Sequence, residues 1–201
     1  MLAVIDYDAG NIKSVENAFK YLGTDICVTR DPGEIMRADR VILPGVGAFG
    51  DAMKKLNEYN LTDVIRTIAG SGTPFMGICL GLQLLFDSSE ESEGVSGLSI
   101  LPGKIRRIPD NNGLKVPQIG WNNLKYPNKG KLFEGIDEDS YVYFVHSYYL
   151  DAADKSIVTA TTEYGVTVDA SVEKGNVFAC QFHPEKSAEV GMEILRNFLK
   201  V

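Results

Sequence analysis

The first half of the chain alternates between short apolar runs and stretches whose apolar positions recur at helical spacing. Residues 2–6, 26–29, 41–43 and 75–78 are the apolar runs and predict buried strands. Between the first two, Ile12, Val15, Phe19 and Leu22 stand 3, 4 and 3 residues apart and make one face of a helix over 11–22. Asp31-Pro32-Gly33-Glu34 carries the marks of a helix start: a capping side chain, a proline at the first helical position and a glutamate three places after the cap. Further helical patterns run around 52–56, 62–69 and 80–86. Strands that alternate with helices imply a mostly parallel sheet covered on both faces.

The period then changes. Residues 104–108, 116–122, 141–145, 157–162, 166–171 and 177–181 read as strands with little helix between them, and Lys174-Gly175-Asn176 reads as a hairpin turn. A closing helix is expected behind Ser187 as its cap, with Val190, Ile194, Leu195 and Phe198 on its inner face. The acidic run 88–93 reads as a solvated loop. The prediction is an α/β fold: a doubly wound, mostly parallel sheet with helices on both faces, plus an added antiparallel β region, in one domain over 1–201.

Composition narrows the function. With 201 residues, 44% apolar and 23% charged, the chain is long enough for a core without metal or disulfide staples. Its 20 Lys and Arg stand against 27 Asp and Glu, a net charge of −7 that argues against nucleic acid as a partner. Neither a membrane span nor a signal peptide is read, since the opening apolar run meets Asp6 at once. Three cysteines without a C-x-x-C suit the reducing cytoplasm. Two well-separated histidines give no metal-ligand spacing, so neither a metal nor another cofactor is expected.

Three segments carry candidate chemistry. Gly77-Ile78-Cys79-Leu80-Gly81 lies between a predicted strand and a predicted helix, the nucleophile-elbow pattern with sulfur in place of oxygen. The turn sets Cys79 at a helix N-terminus, which favours thiolate. A buried structural cysteine is the competing reading, and it is the one that suits Cys27 and Cys180, each inside an apolar strand. A cysteine nucleophile needs a base, and the base needs a group to orient it. Pro184 pushes His183 toward an extended conformation, in which Glu185 falls on the same side as His183; His146 has no acid within two positions. A plain turn residue before proline is the alternative for His183. Gly45-Val46-Gly47-Ala48-Phe49-Gly50 spells the dinucleotide fingerprint, but it follows the third strand rather than the first, and Pro44 interrupts the handover. Such a loop can instead aim backbone N–H groups at an oxyanion, or be an ordinary glycine-rich connection. Gly70-Ser71-Gly72-Thr73 lacks the Lys-Ser/Thr of a phosphate loop.

Cys79 on its elbow together with His183-Pro184-Glu185 resembles the triad glutaminase domain of class I glutamine amidotransferases. Asp6-Tyr7, Gly10-Asn11, Leu43-Pro44-Gly45-Val46-Gly47, Gly120-Trp121-Asn122 and Tyr143-Phe144-Val145-His146-Ser147-Tyr148 are similar to the branch of that class that serves histidine biosynthesis, and the likeness runs over essentially the whole chain. The resemblance implies that Cys79 attacks the side-chain amide of glutamine to form a thioester, with His183 as acid and base and Glu185 behind it. It implies an oxyanion hole made by the N–H of Leu80 and of Val46 or Gly47, in a loop misaligned until the partner's substrate binds. Gly47, Gln83, Ser147 and Tyr148 would hold glutamine. Ammonia would pass to a (β/α)8-barrel cyclase in a heterodimer, which cleaves a phosphoribosylated aminoimidazole carboxamide precursor, with Asn11, Gln118, Trp121 and Tyr143 at the interface. Relatives often have His-Met where this chain has Gln118-Ile119, and core packing is an equal alternative for Trp121. Two other functions stay open: an amidotransferase serving a different synthase, and a cysteine peptidase or esterase on the same elbow.

Overall fold

The computed structural model describes residues 1–110 and 113–201. Strands β1 (Leu2–Ile5), β2 (Ile26–Thr29), β3 (Arg40–Leu43) and β4 (Phe75–Ile78) alternate with helices α1 (Ile12–Tyr21), α2 (Pro32–Met36), α3 (Phe49–Glu58) and α4 (Thr62–Ser71), and α5 (Leu80–Leu84) follows β4 directly. The remaining strands are β5 (Ser88–Ser89), β6 (Gly103–Arg107), β7 (Gln118–Asn123), β8 (Tyr141–His146), β9 (Tyr148–Ala152), β10 (Val158–Glu163), β11 (Thr167–Lys174) and β12 (Val177–Cys180), and α6 (Ala188–Lys200) closes the chain.

The main sheet has seven strands in the order β10-β11-β12-β4-β3-β1-β2. Strands β2, β1, β3, β4 and β12 are parallel, and β11 and β10 continue the sheet antiparallel. Every residue of β1, β4 and β12 is buried because helices cover both faces. Leu2 and Val4 point into the core shared with Val15 and Phe19 of α1 and Ile194 and Phe198 of α6. Ala3 and Ile5 point the other way, onto Ile35 of α2, Leu56 of α3 and Ile65 of α4. The added β region forms two small sheets beside the main one, β5-β6-β9 and β7-β8.

Several local readings hold in outline and change in detail. Asp31 caps α2, accepting the Glu34 N–H at 2.8 Å, but the Glu34 carboxylate turns to the Thr29 hydroxyl rather than back to the cap. The acidic run is not a free loop. Ser88–Ser89 pairs with β6, and the Glu91 carboxylate and Ser92 hydroxyl accept the Phe49 and Gly50 N–H groups at 2.7 and 3.0 Å. They cap α3, whose own flanking residue Ala48 has no side chain to do so. Ser187 precedes α6 without capping it; its hydroxyl donates to the His183 carbonyl at 2.6 Å and accepts the Tyr143 N–H at 2.9 Å. Cys27 is partly exposed, unlike Cys180.

Helix α6 packs directly on the turn that follows His183. A Cβ on Gly191 would lie 1.9 Å from the Pro184 carbonyl oxygen, a backbone atom that cannot swing aside. Gly191→Ala is therefore expected to cost about 1–3 kcal/mol by overpacking. A urea melt checks this, and the same turn carries His183 and Glu185.

Candidate active site

Cys79 stands at the carboxyl end of β4 with φ 57° and ψ −111°, a left-handed conformation that costs a non-glycine residue roughly 1–3 kcal/mol. The surroundings hold it there. Its N–H donates to the Cys180 carbonyl of the neighbouring β12 at 2.8 Å. The flanking glycines let three backbone segments meet: a Cβ on Gly81 would sit 1.9 Å from the Leu43 carbonyl oxygen, and one on Gly77 would sit 2.7 Å from the Gly81 carbonyl oxygen. The sharp turn lifts the sulfur to the edge of a cavity of about 310 Å³ beyond the strand ends, the usual ligand position in such sheets. His183, Gln83, Ser147, Tyr148, Val46 and Gly47 share its walls.

His183 follows β12 with φ −100° and ψ 96°, the extended backbone that Pro184 demands. Glu185 lies in a 3-10 turn, Pro184–Lys186, so the tight turn brings the acid back to the ring where an extended segment was expected to do so. Nδ1 of His183 and Oε1 of Glu185 are 2.8 Å apart with both side chains buried, which leaves Nε2 for the Cys79 sulfur. Burial opposes protonation of His183, but hydrogen bonds with Cys79 and then Glu185 outweigh it and carry its pKa up to about 10. Through neutral pH the imidazole is therefore a cation poised between a sulfur and a carboxylate. The His183 N–H is fixed to the Tyr143 carbonyl at 2.9 Å. His146 is a different kind of histidine: its Nδ1 donates to the Tyr148 carbonyl at 2.9 Å, and its Nε2, the acceptor of a neutral ring, lies 2.8 Å from the Gln118 side-chain amide. Burial drives its pKa down to about 4, so it is a neutral structural ring in the cavity wall.

The loop 44–47 does not present two oxyanion donors in this state. The Leu80 N–H is engaged by the Gly45 carbonyl at 3.4 Å. N–H and C=O of a trans peptide point to opposite sides, so the Val46 N–H of that same unit faces away. Gly47 has φ +97°, which suits glycine. At Gly45 a Cβ would come within 2.8 Å of the Gly81 nitrogen, the Leu80 Cβ and the Tyr7 hydroxyl, which itself donates to the Pro44 carbonyl at 2.7 Å.

Of the other expected residues, Gln83 donates to the Tyr148 carbonyl at 3.0 Å and lines the cavity. Trp121 is 52% exposed and meets Tyr143 edge to face at 6.0 Å, which settles its alternative against core packing. Gln118 is buried, with its side chain against His146. Asn11 lies within 3.5 Å of Glu185 Oε1. Gln181 escapes sequence reading altogether: a glutamine at a strand end carries no local signal, yet its amide lies 3.8 Å from the Cys79 sulfur.

Residues 3–201 match the family of class-I glutamine amidotransferases, and the chain belongs to it. It is 52% identical over 197 residues to the imidazole glycerol phosphate synthase subunit HisH of Moorella thermoacetica, covering 98% of this chain and 93% of that protein. The protein of the same name from Bacillus cereus is 52% identical over 198 residues, again covering 98% and 93%. Identity at that level places the chain in the HisH branch of the family. Among solved structures, a glutamine amidotransferase superimposes with a TM-score of 0.77 at 20% identity over 98% of this chain and 97% of its own. PurLQS from Thermotoga maritima does so at 0.76 and 21%, over 99% and 97%; both likenesses concern the fold.

The two histidines give opposite pH dependences. His183 stabilises the fold fully below about pH 6.5, and that contribution is lost as pH rises toward about 10. His146 contributes above about pH 6.5 and loses its contribution as pH falls toward about 4. Glu185→Gln should flatten the alkaline decline and leave the acid limb in place, as read from urea midpoints across that range.

Proposed function

We propose that the chain hydrolyses glutamine to glutamate and ammonia through a thioester on Cys79, and passes the ammonia to a cyclase subunit of imidazole glycerol phosphate synthase. The observation that carries the reading is the convergence of Cys79 and the buried His183–Glu185 pair on one cavity. The thiolate attacks the side-chain amide carbon of glutamine, and the electron pair moves onto the amide oxygen. His183 gives its Nε2 proton to the amide nitrogen, the C–N bond breaks and ammonia leaves. Water then enters, His183 takes its proton, and the resulting hydroxide attacks the thioester carbonyl. Breakage of the C–S bond releases glutamate and restores Cys79. Glu185 holds the ring in the tautomer both steps need and stabilises its charge.

Both transition states place negative charge on the amide oxygen, and preorganised N–H donors are the strongest means of stabilising it. Leu80 supplies one. The second becomes available when the Gly45–Val46 peptide rotates, withdrawing the Gly45 carbonyl from Leu80 and turning the Val46 N–H inward. A hole that is closed at rest and opened by the partner keeps ammonia from being released when no acceptor is present. In this reading Gly47, Gln83, Ser147 and Tyr148 cradle the substrate. The partner is a (β/α)8 barrel, met by Asn11 and by the exposed Trp121 with Tyr143, and the pair works in the cytoplasm.

Cys79→Ala and His183→Ala should each lower glutamate release by at least about a thousandfold, whereas His146→Ala should retain triad turnover. Retention of full hydrolysis by Cys79→Ala would remove the thioester route. Adding the cyclase with its nucleotide ligand should raise the wild-type rate, as followed by coupled glutamate assay. Trp121→Ala should weaken the cyclase complex by about 2 kcal/mol, as for an aromatic anchor, measured by calorimetric titration.

A further inference from the structure

Gln181 is fully buried where β12 gives way to the His183 turn, next to Cys180 and Phe182. Its backbone N–H is fixed to the Ala170 carbonyl of β11 at 2.8 Å, so the reach of its side chain is set by the sheet. A buried amide is costly unless its polar atoms are bonded, and an apolar side chain of similar length would fill the same space at no such cost. Its contacts follow one logic. The Tyr148 carbonyl can only accept, so the end of the Gln83 amide 3.0 Å from it must be the NH2 group. That same NH2 donates its other hydrogen to Gln181 Oε1 at 2.9 Å. Gln181 must therefore turn its own NH2 the other way, and there it lies 3.8 Å from the Cys79 sulfur. Each amide in the row has its orientation dictated by the one before, starting from a backbone carbonyl that cannot reverse its role.

We propose that Gln181 is a positioning residue for the nucleophile: the row Tyr148–Gln83–Gln181 aims one N–H at the Cys79 sulfur and, in the same arrangement, holds the Gln83 amide nitrogen away from the substrate so that its oxygen faces glutamine. The proposal rests on the reading of Cys79 as the glutaminase nucleophile. A donor aimed at sulfur favours the thiolate over the thiol, and it draws the charge toward the floor of the site, opposite His183. It also links the substrate contact to the sulfur contact, since replacing Gln181 removes the second acceptor of the Gln83 NH2 together with the donor to Cys79. The other ionisable groups facing this sulfur are Tyr7 just beyond β1, Cys180 of β12 and the His183–Glu185 pair, with Glu91, His146, Tyr148 and Lys186 at the cavity wall. None of them is altered by a change at 181, so they form a constant background.

The test alkylates the full-length chain with iodoacetamide over a range of pH and follows Cys79 by peptide mass spectrometry, which separates it from Cys27 and Cys180. Gln181→Met keeps the length and removes the donor. Gln181→Glu keeps an acceptor for Gln83 but sets a second oxygen against the sulfur. With folding verified by circular dichroism, the alkylation profile of Gln181→Met should move upward by about one pH unit, a tenfold change in thiolate fraction, and that of Gln181→Glu should move further. In the complex with the cyclase, Gln181→Met should raise KM for glutamine as well as lower kcat. Superimposable alkylation profiles in all three proteins, or a Glu variant that behaves like wild type, would overturn the proposal while leaving the thioester reading intact. That reading fails separately, if Cys79→Ala still releases glutamate.

Discussion

The site depends on how closely three backbones approach beneath Cys79. The end of β3, the elbow after β4 and the first turn of α5 are so close that neither Gly77 nor Gly81 has room for a methyl group. That crowding, with the Cys79 N–H tied to β12, compensates the left-handed conformation at residue 79 and raises the sulfur clear of the sheet. A nucleophile on a relaxed loop would need no strain, but it would lose its angle to the imidazole with every loop fluctuation. Here the precision comes from strands.

Two histidines in one cavity show how environment rather than residue type assigns a role. Each has its ring nitrogens engaged, but the partners differ. His183 faces a carboxylate and a sulfur, both of which reward a positive charge, whereas His146 faces a backbone carbonyl and an amide in apolar surroundings. The first is held charged and the second neutral across the same pH range. The neutral ring adds no charge of its own beside the His183–Glu185 pair.

What the sequence makes legible is local. Alternating apolar and amphipathic segments disclose the parallel half of the sheet, and glycines two places either side of Cys79 disclose the elbow, because both depend on residues near one another in the chain. Strand β9 is missed because Ser147 alone separates it from β8, with no glycine or proline to mark a turn. The caps that Glu91 and Ser92 supply to α3 come from another part of the chain, so an acidic run reads as wholly solvated although these two are engaged. Gln181 is illegible for the same reason: its meaning lies in Gln83 and Cys79, which only the folded sheet brings beside it. The orientation of the single peptide at 45–46, which sets its carbonyl against the Leu80 N–H, is likewise recorded by no residue identity.

The strand order has a bearing on how the molecule comes into being. Strand β12 follows all the other strands in sequence among the described residues, yet it lies inside the sheet between β4 and β11. Until it inserts, β4 has an open seam, the elbow has no carbonyl to anchor it, and His183 has no place beside Cys79. Long-range parallel pairing of this kind is slow to form. Before that segment docks, a growing polypeptide therefore has neither the strand that anchors Cys79 nor the buried His183–Glu185 pair beside it.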